Sequence, residues 1–162
     1  MGSDKQDSSS INLDKTDLAI LKRLQQDGRL SNARLAEEIN LSETPCWRRW
    51  KSLESNGFIE EYRAVISPRK LGFTVTAFTQ VSFSSHDLAL TDAFESIVND
   101  LDWVQSCHCI TGNMDYLLQM VFRDLDEFSE RINVIRRIPG VRAIETQIAV
   151  KAIKSGSHLP IE

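Results

Sequence analysis

The chain has 162 residues and a mass of 18.4 kDa, room for one large domain or two small ones. At 41% hydrophobic and 26% charged it excludes collagen-like, mucin-like and fully disordered classes, and a formal net charge of −4 argues against a generic polyanion binder. No apolar run reaches the ~18–20 residues of a membrane span, the opening MGSDKQDSSS lacks the basic-then-apolar order of a secretory signal, and three cysteines do not make a disulfide scaffold. A cytoplasmic protein with free thiols is expected.

Residues 1–11 are rich in Ser and Asp and read as a disordered arm. Residues 12–62 punctuate as three short helices. Asp14 is the expected N-cap of the first, with Leu18, Ile20, Leu21 and Leu24 on its buried side and Gly28 as its left-handed stop. Ser31 caps the second, where Leu30 and Leu35 make a hydrophobic staple and Ala36 and Ile39 continue the apolar side. Ser42 caps the third, Pro45 falls in its first turn where a missing N–H does no harm, and Gly57 ends it.

From residue 63 the period changes. Residues 63–73 read as a hinge strand or linker, 74–154 as a second domain and 155–162 as a C-terminal tail. A strand is expected over 74–84, with Val75, Ala77, Val81 and Phe83 on one side. A helix follows over 87–99, with Phe94, Ile97, Val98 and Leu101 on one stripe. Strands over 103–110 and 115–122 flank the turn Thr-Gly-Asn-Met, a helix over 126–137 carries Phe128, Ile132 and Ile135, and a last strand runs over 141–151. This β-α-β-β-α-β order is the ferredoxin-like arrangement, so the class is α+β. Two helices cover one face of such a sheet and leave the other to solvent or a partner.

The charge divides unevenly. Residues 12–63 carry nine bases and nine acids, and residues 64–162 nine bases and twelve acids. Any nucleic-acid contact is therefore local, and Arg48, Arg49 and Lys51 mark the place. On a helical wheel Cys46, Trp50 and Leu53 form the third helix's buried stripe, with Trp47 at its border. Thr44, Arg48, Lys51, Ser52 and Ser55 fall opposite, while Glu43 and Glu54 lie off that side. Two cations and three hydroxyls can bond phosphate oxygens and base edges, and a short turn at Asn40–Leu41 makes the second and third helices a helix-turn-helix. The expected DNA contacts are Ser42, Thr44, Arg48, Lys51 and Ser52, with Arg49 touching phosphate from the flank. A solvated charged face is the plain alternative reading.

The stretches LDKTDLAILKRLQQDGRLSNARLAEEINLSETPCWRRWKSLESNGFI, TGNMDYLL and IPGV resemble the Lrp/AsnC family of regulators across nearly all of residues 12–154. Trp47 is similar to the branch containing cysteine-responsive regulators. The resemblance implies an N-terminal helix-turn-helix (winged-helix-like) DNA-binding domain over 12–62, a hinge strand near 62–68 and a ferredoxin-like effector-binding and oligomerisation domain over 74–154. It also implies dimers paired through their open sheet faces, an octamer of four dimers, and a small amino-acid effector bound between dimers. The matching effector positions are Thr111, Gly112, Asn113, Asp115 and Tyr116, with further contacts from His108 and Gln147 that a neighbouring dimer can supply. A glycine brings backbone N–H groups close to a carboxylate, and Asp115 suits an ammonium group. An Asp at a strand start that merely caps it is the alternative.

Other chemistry finds little support. Along a strand Cys107 and Cys109 point to one face and His108 to the other, which suits no closed metal site, and no phosphate loop or nucleophile motif occurs. Neither a metal nor a cofactor nor an enzyme is expected. The leading expectation is a sequence-specific regulator responding to an amino acid. An architectural protein wrapping DNA non-specifically is the alternative, and the neutral charge of 12–63 weighs against it.

Overall fold

A computed structural model describes residues 12–85, 87–156 and 158–162; the expected arm at 1–11, and His86, lie outside the described residues. The chain divides into two compact units, one running to Val65 and taking in Gly156–Glu162, the other Ile66–Ser155. The division falls within the 63–73 segment.

The first unit holds α1 (Lys15–Leu24), α2 (Asn32–Glu38) and α3 (Glu43–Ser55). Asp14 and Asp17 form a reciprocal capping box at the start of α1. The helix stops at Leu24, and Gly28 is not left-handed, contrary to the expected stop. Its missing side chain instead admits the Tyr62 ring, which would lie 3.2 Å from a Cβ there. Ser31 Oγ accepts from the Arg34 N–H to cap α2. Its end is a Schellman turn: Asn40 takes φ 56°, its N–H bonds Glu37 O, and the Leu41 N–H bonds Ala36 O. Gly57 ends α3 the same way, at φ 74°, with Gly57 N bonding Glu54 O and Phe58 N bonding Leu53 O. Ile20, Leu24, Leu30, Leu35, Ala36, Cys46, Trp50 and Leu53 form the core between the helices.

Residues 62–68, expected as a hinge strand, form no ladder, and no strand pairs within this unit among the described residues. A strand needs an edge to bond, and the chain offers this segment none. The C-terminal residues are less free than a tail: the Gln25 amide donates to Leu159 O and accepts from Leu159 N, both at 3.0 Å.

The second unit opens on a 3-10 turn at Arg69–Leu71 and then runs β1 (Val75–Phe83), α4 (Leu88–Asn99), β2 (Val104–Cys109), β3 (Tyr116–Phe122), α5 (Leu125–Arg136) and β4 (Val141–Ile148). The sheet is fully antiparallel in the order β2-β3-β1-β4, with β1 paired to both β3 and β4. That is the ferredoxin-like topology, and the fold class is α+β. Ala77, Val81, Phe83, Leu118, Met120 and Phe122 face the helices, where they meet Phe94, Val98, Ile132 and Ile135. Ile97, expected on the buried stripe, is turned outward. The opposite face carries Thr76, Phe78 and Gln80 of β1, Leu117 and Gln119 of β3, His108 of β2, and Glu145 and Gln147 of β4, away from α4 and α5.

Cys107 and Cys109 pair with Leu118 and Tyr116 on the helix-side face, and His108 pairs with Leu117 on the open one. Among the described residues no group of three or more His, Cys, Asp and Glu side chains is placed to hold a metal ion. Likewise no described helix is long and apolar enough to cross a membrane.

Asn40→Val should destabilise the first unit by about 1–2 kcal/mol, because a branched side chain resists the left-handed turn, whereas Asn40→Gly should be close to neutral. Denaturant unfolding would show the contrast, and equal losses would mean that the turn's backbone is not the constraint. The thiols should alkylate in the order Cys109, Cys107, Cys46. Cys109 is exposed, burial pushes the Cys107 thiol up to about 11, and Cys46 is enclosed in the helical core. Peptide mass spectrometry after timed iodoacetamide treatment of the native protein would report the order.

Candidate nucleic-acid interface and ligand turn

The outward side of α3 follows from what its inward side buries. Cys46, Trp50 and Leu53 are 0%, 8% and 3% exposed, so the residues half a turn away face solvent. Thr44, Arg48, Lys51, Ser52 and Ser55 are all exposed. Ser42 occupies the N-cap position with extended backbone, but its hydroxyl makes no capping bond, unlike the expected cap. That leaves the hydroxyl at the helix's positive end, where an anion is favoured. The Asn32 amide donates to the Glu43 carbonyl at 3.0 Å and so ties the start of α2 to the start of α3.

The three cations of α3 differ sharply in their surroundings. Arg49, expected as a flanking phosphate contact, is claimed by two carboxylates, Asp14 Oδ2 at 2.7 Å and Asp17 Oδ1 at 2.9 Å. It pins α3 to the capped end of α1, and the two acids hold its guanidinium pKa above the ordinary value. In turn, Asp14 lies below the usual carboxylate range, chiefly through the Asp17 backbone N–H and then through Arg49. Lys51 bonds Glu54 Oε2 at 2.5 Å, and its ammonium lies 4.6 Å from the centre of the Trp47 ring. Glu54, expected to lie off the contact side, therefore reaches it. Among the described residues Arg48 has no ion-pair or hydrogen-bond partner.

Behind Lys51 lies a network that the third helix's own pattern does not reveal. Trp50 Nε1 donates to Tyr62 Oη at 2.5 Å, and Tyr62 Oη donates to Glu54 Oε1 at 3.0 Å. The Trp47 and Trp50 rings meet edge-on with centroids 6.2 Å apart. Lys51 is the main cause holding the Glu54 carboxyl below its ordinary range against partial desolvation, and Tyr62 adds to it. The i, i+3 spacing of Lys51 and Glu54 was a legible sign of this pair. Tyr62 gave none.

In the second unit the turn between β2 and β3 is closed by the Ile110 N–H on Asp115 O at 2.9 Å, and Gly112 takes φ 125°. Thr111, Gly112 and Asn113 are exposed, with nothing within 4 Å of a Cβ built at Gly112. The other expected effector residues are not gathered there. Asp115 Oδ2 accepts from the Phe83 N–H at 2.7 Å, capping the end of β1, and Asp115 has a further interaction besides. Tyr116 is buried among Phe83 and Phe94 and donates its hydroxyl to Glu95 Oε1 at 2.7 Å. Burial, then the Glu95 carboxylate, raises its pKa, so it stays a donor. His108 and Gln147 both lie on the open face, but on the two edge strands, about 14 Å apart across the sheet and two residues out of register along it. One small molecule cannot touch both side chains of a single chain.

Comparison with known proteins agrees with both units. Residues 13–60 match the family described as winged helix-turn-helix DNA-binding, and residues 76–159 match the Lrp/AsnC ligand binding domain. The leucine-responsive regulatory protein of Klebsiella pneumoniae is 33% identical over 151 residues, covering 93% of this chain and 92% of that protein. Its Escherichia coli K12 counterpart is 32% identical with the same coverage. Among solved structures, a transcriptional regulator from Neisseria meningitidis in complex with L-methionine superposes with a TM-score of 0.89 at 37% identity, covering 92% of this chain and 97% of that one. An AsnC family regulator from Agrobacterium tumefaciens gives a TM-score of 0.87 at 31% identity, with 91% and 97% covered. No catalytic family appears among these relatives. The chain belongs to the Lrp/AsnC family of transcriptional regulators, with a helix-turn-helix DNA-binding domain followed by an Lrp/AsnC ligand-binding domain.

Proposed function

We propose that the protein is a cytoplasmic, sequence-specific regulator that reads duplex DNA with α3 and alters its occupancy when a small amino acid binds between dimers. The observation that carries this reading is Arg48. It is an exposed guanidinium without a partner among the described residues, on the outward side of a helix whose other side is buried. An arginine so placed suits bidentate contact with guanine in the major groove. Thr44, Lys51 and Ser52 flank it, and Ser42 offers phosphate a hydroxyl at the helix start. Arg49 serves this reading by fixing the helix rather than by touching DNA.

The near-neutral charge of residues 12–63 favours sequence reading over non-specific wrapping, which needs many free cations. Two such helices in a dimer would meet successive major grooves, giving an operator with two-fold symmetry. The sheet face away from α4 and α5 suits the dimer contact, and an octamer of four dimers is the assembly we favour.

For the effector, the Thr111–Gly112–Asn113 turn offers open backbone to a carboxylate, and Asp115 beside it offers a carboxylate to an ammonium. His108 and Gln147, too far apart within one chain, fit the same ligand only when they come from different chains. The methionine complex of the Neisseria relative makes an amino acid a reasonable class. Cysteine, leucine and methionine are the first candidates.

Arg48→Ala should weaken operator binding by about 1–3 kcal/mol and relax preference at a single base pair, as read by competition gel shift against permuted operators. An unchanged base preference would discredit the assigned reading side. A thermal-shift screen of the twenty amino acids should single out one small class, with a melting shift that grows as RT ln(1 + [L]/Kd). Gly112→Val, strained at its positive φ, should diminish that shift while operator affinity without ligand stays as in the parent; an undiminished shift would move the site away from the turn.

A further inference from the structure

Resting on that reading of α3, we propose that Tyr62, seven residues beyond the helix's end, is a positioning residue for DNA discrimination that acts by holding Lys51 in one stance through Glu54 and Trp50.

Five side chains close a ring on the flank of α3. Tyr62 Oη donates to Glu54, Glu54 bonds Lys51, the Lys51 ammonium rests over Trp47, Trp47 abuts Trp50 edge-on, and Trp50 Nε1 donates back to Tyr62 Oη. Each link constrains the next. A lysine side chain by itself wanders over many rotamers and meets DNA as an unspecific point charge. Pinned between a carboxylate and an indole face, it keeps its direction but remains 49% exposed, so the ammonium still has donors to offer a base edge.

Tyr62 is the one member of the ring outside α3. Its single hydroxyl proton goes to Glu54, and its lone pair takes the Trp50 N–H, so the hydroxyl orients both at once. The ring itself is placed by Gly28, where any side chain would crowd it at 3.2 Å. Beyond Tyr62 the chain from Arg63 to Gly72 is exposed throughout. The stance of Lys51 is therefore set from the point where the chain departs from the helical core, and no residue of the reading side itself does this.

The test is a mutant cycle on the full-length protein, reading the ratio of operator affinity to random-duplex affinity at fixed salt. Lys51→Ala should lower that ratio, and Tyr62→Phe should lower it by roughly three- to tenfold. In the Lys51→Ala background Tyr62→Phe should add no further loss; a role confined to stability would reduce the folded fraction for both duplexes alike and leave the ratio unchanged, and a route that bypasses Lys51 would lower it in both backgrounds. Glu54→Gln keeps the Trp50–Tyr62 bond and should reproduce the Tyr62→Phe loss, which covers the case in which Tyr62→Phe folds poorly. Equal Tyr62→Phe losses in both backgrounds, or Glu54→Gln discriminating like the parent while Lys51→Ala does not, overturn the proposal and leave the reading side intact. Lys51→Ala without effect overturns Lys51 as a contact, and the Tyr62 proposal with it.

Discussion

The molecule's DNA-binding half depends on a constraint of geometry: α3 can present one side outward only because its other side and both its ends are fixed. Cys46, Trp50 and Leu53 bury the inner side. Left-handed residues, Asn40 before the helix and Gly57 after it, close Schellman turns that set where the helix starts and stops. Arg49 adds an electrostatic tie to the capped end of α1. Exposed ion pairs of this kind contribute modestly, so the apolar stripe carries most of the energy and the ion pair mostly fixes the helix's rotation.

The same economy governs charge. Three cations in four residues look like a basic patch, yet acids of this chain engage two of them. What is left is one unpaired guanidinium and one lysine in a defined direction. A near-neutral domain of this kind offers few free cations for counterion release, and the proposal of sequence reading rests on that condition.

Much of this was legible because it is local. Helical and strand periods, the caps at Asp14 and Ser31, the stop at Gly57 and the parity of Cys107, His108 and Cys109 all depend on residues within a few positions of one another. Gly28 misled because its role is to make room for a ring 34 positions away, which no local pattern encodes. Tyr116 illustrates a different case. Strand parity places it with Leu118, Met120 and Phe122 on the helix side, and its place in the ligand-site reading came from the family resemblance alone. The separation of His108 from Gln147 emerges only from the strand order β2-β3-β1-β4, a property of the assembled sheet. The five-membered ring through Tyr62 likewise needs the chain to double back.

Asp115 carries a final implication. Its carboxylate already holds the last N–H of β1. A carboxylate has lone pairs enough for more than one donor, so any group that bonds Asp115 shares it with the strand's terminus rather than displacing it. Whatever meets Asp115 from the open turn therefore meets the end of β1 as well. One side chain thus ties the tip of the β2–β3 turn to the far end of a strand at the centre of the sheet.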